Sequence, residues 1–114
     1  MRKRLILVED HEDLREVTAE WLEMAGFDVA AFDNAEDALA SLDAQLPDAL
    51  VTDLSLPSMS GVELAERARS VSAGRSLLIV ALTGAAGVAR SGLFDVVLTK
   101  PVDMERLSTL LRGG

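Results

Sequence analysis

The chain has 114 residues, 49% of them hydrophobic, a formal net charge of −8 and no cysteine. Such a length supports one domain burying roughly two-thirds of its unfolded surface in a single core. The composition excludes disulfides and thiolate metal sites. No apolar run approaches the ~20 residues of a membrane span, and the acidic balance argues against a broad footprint on a nucleic-acid backbone. The basic start Met1-Arg2-Lys3-Arg4 is followed by an apolar stretch, Leu5–Val8, too short for a signal peptide. A cytoplasmic protein is predicted, with no membrane or direct nucleic-acid partner.

Taken in order, Leu5-Ile6-Leu7-Val8 is a continuous apolar run, as in a strand covered on both faces. Glu9-Asp10 ends it. From Glu12 to Ala25 the apolar positions Leu14, Val17, Trp21, Leu22 and Ala25 recur at helical spacing, which predicts a helix with a core-facing stripe that includes Trp21. Gly26 fits the residue just past its end. Phe27–Phe32 is a second strand. Asn34 can cap a second helix with Ala35, Ala38, Leu39 and Leu42 inward, stopped by Pro47. Leu50–Asp53 is a third strand, and Ser60-Gly61-Val62-Glu63 reads as a capping box opening a helix to about Arg69. Leu77–Leu82 and Asp95–Thr99 are the fourth and fifth strands. Asp103 caps a final helix with Met104, Leu107, Leu110 and Leu111 inward.

Strands alternating with helices demand a parallel sheet with right-handed crossovers and helices on both faces. In such sheets ligands bind outside the carboxyl ends of the strands. The polar residues with chemistry to offer fall there: Glu9-Asp10 after the first strand, Asp53 after the third, Thr83 after the fourth and Lys100 after the fifth. Three carboxylates in one place repel, and a hard divalent cation is the natural remedy. Mg²⁺ takes a few carboxylate oxygens, waters and a phosphate oxygen. A hydroxyl from Thr83 and a compact ammonium from Lys100 suit a phosphoryl group. Together these groups form a minimal kit for phosphoryl transfer to an acid nucleophile. His11, beside the first surface helix, is expected to be solvated, and Met59 to pack within its loop.

The segments "LVED" at 7–10, "TDLSLPSMSG" at 52–61, "ALTG" at 81–84 and "LTKP" at 98–101, in that order, closely resemble the receiver domain of two-component response regulators. The resemblance covers nearly the whole chain. It implies a doubly wound (βα)5 flavodoxin-like fold with strand order 2-1-3-4-5, and residues 1–114 forming a single receiver domain with no output domain. It implies that Asp53 accepts a phosphoryl group from a histidine kinase or a histidine phosphotransfer protein. Asp10 and Asp53 would ligate Mg²⁺ directly, Glu9 through a water, and the main-chain carbonyl of Ser55 would complete the protein ligands. Thr83 and Lys100 would bind the phosphoryl oxygens, and the Lys100-Pro101 bond would be cis. Such a domain is a switch that gains and loses its own phosphoryl group rather than a conventional enzyme, and its output partner is unspecified.

Two departures from the family pattern stand out. Receivers carry Tyr or Phe three residues before the lysine, where this chain has Val97, so the switch pair becomes Thr83 and Val97. The stretch Gly84–Phe94 between strands four and five is short and holds Gly84, Gly87 and Gly92. A glycine costs about 1 kcal/mol relative to alanine inside a helix, so the helix expected there is shortened to one or two turns or absent. Other functions fit less well. A flavodoxin-type phosphate binder needs a Gly/Ser/Thr-rich first loop, and "EDHED" would repel a phosphate. An aspartyl phosphatase carries Asp-x-Asp after the first strand, unlike Glu9-Asp10-His11. A degenerate receiver, serving only as a phosphorylation-independent docking module, would not need the acceptor residues that are all present.

Overall fold

The computed structural model, which describes residues 2–84 and 92–113, has five parallel strands and four described helices. The strands are β1 (Arg4–Val8), β2 (Asp28–Phe32), β3 (Ala49–Asp53), β4 (Leu78–Thr83) and β5 (Val96–Thr99), and the described helices are α1 (Glu12–Met24), α2 (Ala35–Ala44), α3 (Gly61–Ser72) and α4 (Met104–Gly113). The sheet order is β2-β1-β3-β4-β5, all neighbours parallel. The chain order reverses between β1 and β3, so a crevice opens at their carboxyl ends.

The apolar runs of β1, β3 and β4 sit in the middle of the sheet and serve two cores at once. Leu5, Leu7, Val51, Val80 and Leu82 face α1 and α4 on one side, joined by Leu22, Phe27, Leu107 and Leu111. Ile6, Val8, Leu50 and Ile79 face α2 and α3 on the other, joined by Ala38, Leu42, Leu64 and Ala68. Alternate side chains of a strand point to opposite faces, so only a strand apolar at every position can fill both cores.

Local caps place the helices. Asn34 accepts from the Asp37 amide at 2.7 Å, Ser60 from the Glu63 amide at 3.1 Å, and Asp103 from the Glu105 amide at 3.1 Å, as the sequence predicts. His11 is a cap too: its Nδ1 accepts from the Leu14 amide at 3.3 Å. At the end of α1, Gly26 (φ +103°) donates to Glu23 and Phe27 donates to Leu22, the paired bonds of a Schellman turn. The third helix runs to Ser72, nearly a turn past the predicted end at Arg69, and closes on Ala73 in the left-handed region at φ 48°.

The inward stripe predicted for α1 is corrected by the structure. Thr18 and Leu22 are its buried residues, whereas Leu14, Val17 and Trp21 remain 40%, 63% and 42% exposed. Helical spacing puts Leu14, Val17 and Trp21 on one flank, but the sheet meets the neighbouring flank that carries Thr18, Ala19, Leu22 and Ala25. The shortened helix expected within Gly84–Phe94 bears mainly on residues 85–91, which lie outside the described residues; Gly84 and residues 92–94 are not helical.

Candidate functional site

Asp53 ends β3 and is 7% exposed. Its backbone is held from two sides. The Leu54 amide donates to Leu82 O at 3.1 Å, continuing the ladder with β4, and Thr52 Oγ1 donates to Asp53 O at 2.9 Å. The loop then turns back so closely that a Cβ on Gly61 would collide with Asp53 O and lie 2.8 Å from Leu54 Cα. Glycine at position 61 is therefore required by close backbone approach, and it fixes the start of α3 against the strand end. The Asp53 side chain is oriented by the Ser55 amide, which donates to Oδ1 at 3.1 Å.

Glu9 directly follows β1, tied to β2 by its amide's bond to Phe32 O at 3.0 Å. It is 2% exposed, and both of its carboxylate oxygens are engaged: Oε2 accepts from the His11 amide at 3.1 Å and Oε1 from Lys100 Nζ at 2.8 Å. Arg15 from the first turn of α1 donates to Glu9 O at 3.1 Å. Asp10, one residue on, is exposed. Glu9, Asp10 and Asp53 each offer a carboxylate oxygen, all within 4.8 Å of one another.

Lys100 follows β5, and its amide donates to Thr83 O at 2.8 Å, so the ladder itself sets it beside the end of β4. Its ammonium bridges Asp53 Oδ2 and Glu9 Oε1, each at 2.8 Å. Burial draws this ammonium's pKa down, but its hydrogen bonds to Asp53 and Glu9 and their charges outweigh burial and raise it above the ordinary lysine value of 10.5. Thr83 is 6% exposed at the end of β4. The Lys100-Pro101 bond is cis, as expected. Val97 pairs with Ala81, two pairs below the Thr83–Thr99 pair, and is 36% exposed.

The structure thus brings Glu9, Asp10, Asp53, Thr83 and Lys100 to the same end of the sheet, with Ser55 on the loop just beyond. One cation among three carboxylates leaves an excess of negative charge. Oxygen-only donors, two of them small acids, fit a hard divalent ion such as Mg²⁺ that keeps several of its waters. Sequence reasoning missed the His11 cap and the Arg15 brace. It also missed an apolar groove of about 570 Å³ between α1 and α4, lined by Leu14, Val17, Val102 and Met104 and ending at Glu9 and Lys100.

The response regulator receiver domain family matches residues 5–112. The chain belongs to the receiver domain family. It is similar to the response regulator receiver protein CpdR of Brucella abortus, 37% identical over 110 residues that cover 92% of this chain and 90% of that protein. A CheY-like receiver domain from Methylobacillus flagellatus superposes with a TM-score of 0.90 at 30% identity, covering 99% of this chain and 98% of the other. The receiver domain of the hybrid histidine kinase CckA superposes with a TM-score of 0.80 at 25% identity, covering 96% of each chain. Receivers of this fold belong to two-component signalling, and the carboxyl end of this one's sheet carries the acid–lysine cluster.

Proposed function

We propose that this receiver takes a phosphoryl group onto Asp53 from the phosphohistidine of a histidine kinase or phosphotransfer protein, in the cytoplasm, and changes its partner binding as a result. The observation that carries the reading is the Lys100 ammonium, held 2.8 Å from Asp53 inside a cluster of three carboxylates. A carboxylate oxygen of Asp53 forms the new P–O bond as the donor's P–N bond breaks, and the electron pair of that bond leaves on the imidazole nitrogen. Lys100 stabilises the charge on the phosphoryl oxygens, and Thr83 supplies a hydroxyl donor. Asp10, Asp53 and the Ser55 carbonyl would hold Mg²⁺; Glu9, whose oxygens already accept from Lys100 and the His11 amide, would act on it through a water. Such an ion would supply neutralisation of the carboxylate charge and orientation of the phosphoryl oxygens.

The donor's docking place is the apolar groove beside Lys100. Leu14 and Val17 stay exposed along it, and Asp13, Glu16 and Glu20 rim the outer side of α1. That surface fits a helix with an apolar stripe and basic flanks, which would bring a histidine to the cluster.

Incubation with phosphoramidate and Mg²⁺ tests the chemistry. One base-labile phosphoryl group per chain is expected, and none in Asp53→Asn. Equal labelling of Asp53→Asn would overturn the assignment of the acceptor, and no labelling of the wild type would leave phosphorylation-independent docking as the better reading.

A further inference from the structure

We propose that Arg69 is a positioning residue for Lys100: its guanidinium pins the start of β5 and so sets how far along the sheet the ammonium projects. The inference rests on the reading that Lys100 serves phosphoryl transfer to Asp53.

Arg69 lies in the last turn of α3, far from the acid cluster. Its Nη1 donates to Leu77 O at 2.8 Å, just before β4. Nε and Nη2 both donate to Leu93 O, at 3.1 and 2.9 Å, and Nη2 also donates to Asp95 Oδ2 at 2.8 Å. The same Asp95 oxygen accepts from the Ile79 amide at 2.8 Å, while the Asp95 amide donates to Ile79 O at 2.9 Å. One planar guanidinium thus ties α3, the start of β4 and the residues leading into β5. As an ion pair alone this would count for little, because Asp95 is 42% exposed. The fork onto fixed carbonyls gives it geometric force.

The strand it pins is short and laddered on one side only. β5 is an edge strand of four residues, paired only with β4. Leu98 is buried, whereas Val97 and Thr99 are exposed. A slip of one residue would expel Leu98 from the core, so packing forbids it. A slip of two residues would keep each side chain on its own face, and packing resists it less. Such a slip would carry Lys100 about 6–7 Å along the sheet, beyond reach of Asp53. The Arg69–Leu93–Asp95 knot excludes it by fixing where β5 begins. Glu9 and Asp10 follow β1 and Asp53 ends β3, so their backbone placement does not depend on this knot.

The full-length chain carries the test, as wild type, Arg69→Ala, Arg69→Lys and Asp95→Asn. Three quantities are read: the initial rate of labelling by phosphoramidate, Mg²⁺ affinity from the amide shifts of residues 9, 10 and 53, and hydrogen exchange of the β5 amides. Arg69→Ala is expected to slow labelling about ten- to a hundredfold, as displacement of a positioned group does. It should speed β5 exchange without weakening Mg²⁺ binding, because the ammonium moved away from Glu9 and Asp53 competes with the ion rather than ligating it. Arg69→Lys keeps the charge without the fork and should fall between. Unchanged labelling in Arg69→Ala, or a parallel loss of labelling and Mg²⁺ affinity, would overturn the inference. Should Arg69→Ala not fold, Asp95→Asn and Arg69→Lys decide by the same readings. Failure of the wild type to label would instead overturn the function proposed above, and β5 exchange would still decide whether Arg69 sets the strand.

Discussion

Lys100 is the residue on which the electrostatics of this receiver turn. Its ammonium is the sole cation bridging two acids of the cluster among the described residues, at 2.8 Å from each. Because those acids hold it protonated more firmly in the folded chain than in the unfolded one, it stabilises the fold at all pH values below the ordinary lysine value of 10.5. That contribution is lost as pH rises through the higher, folded value. Urea unfolding of the metal-free protein should therefore show stability falling above about pH 10.5, with a smaller fall in Lys100→Gln. An equal fall in both would show that other groups govern the alkaline limb. The same residue shows why Glu9 and Asp10 differ. Glu9 is buried against Lys100 and the His11 amide, whereas Asp10 is exposed and open to an ion.

Among the elements, α1 departs furthest from its sequence pattern. An amphipathic helix normally turns its apolar stripe to the core, yet Val17 is 63% exposed and Met24 88% exposed. Core packing does not require those side chains, and the docking proposed above would bury Val17 against the phosphoryl donor. Val17→Glu is expected to leave labelling by phosphoramidate intact, since a small donor needs no docking surface. It should slow transfer from the cognate kinase about tenfold, as loss of one well-packed contact does. A variant that accepts phosphate from both donors at wild-type rates would place the docking surface elsewhere. The third helix links the two ends of the sheet: Gly61 abuts the Asp53 backbone and Arg69 grips the start of β5.

For the molecule as a whole, a net charge of −8 is concentrated in part at the carboxyl end of the sheet, where Glu9, Asp10 and Asp53 converge. Folding gathers these carboxylates, so an ion that binds only the gathered set stabilises the fold by mass action. Mg²⁺ at a hundred times its dissociation constant should add about 2.7 kcal/mol to unfolding free energy. Asp10→Asn should lose most of that gain, and Glu9→Gln less. Thermal or urea unfolding with and without Mg²⁺ checks this, and a larger loss in Glu9→Gln would reverse the assignment of direct and water-mediated roles.

Much of this was legible in the amino-acid order because it depends on short-range chemistry. Continuous apolar runs mark strands buried on both faces, Asn34, Ser60 and Asp103 mark helix starts, and acids placed directly after strands arrive together once the sheet is parallel. Asp53 and Lys100 are far apart in the chain, yet each follows its own strand, so the topology alone brings them to the same end. What tertiary structure decided are quantities that spacing does not contain. Periodicity defines a stripe on α1 but not the angle at which the helix meets the sheet, and that angle left Leu14, Val17 and Trp21 outside. His11 became a cap because its ring turned back onto the Leu14 amide. Arg69 reads as one more surface charge until the chain folds, when three acceptors from two separate segments converge on its guanidinium. Local sequence sets which groups a segment carries, and only the packing of elements against one another sets which groups from distant segments meet.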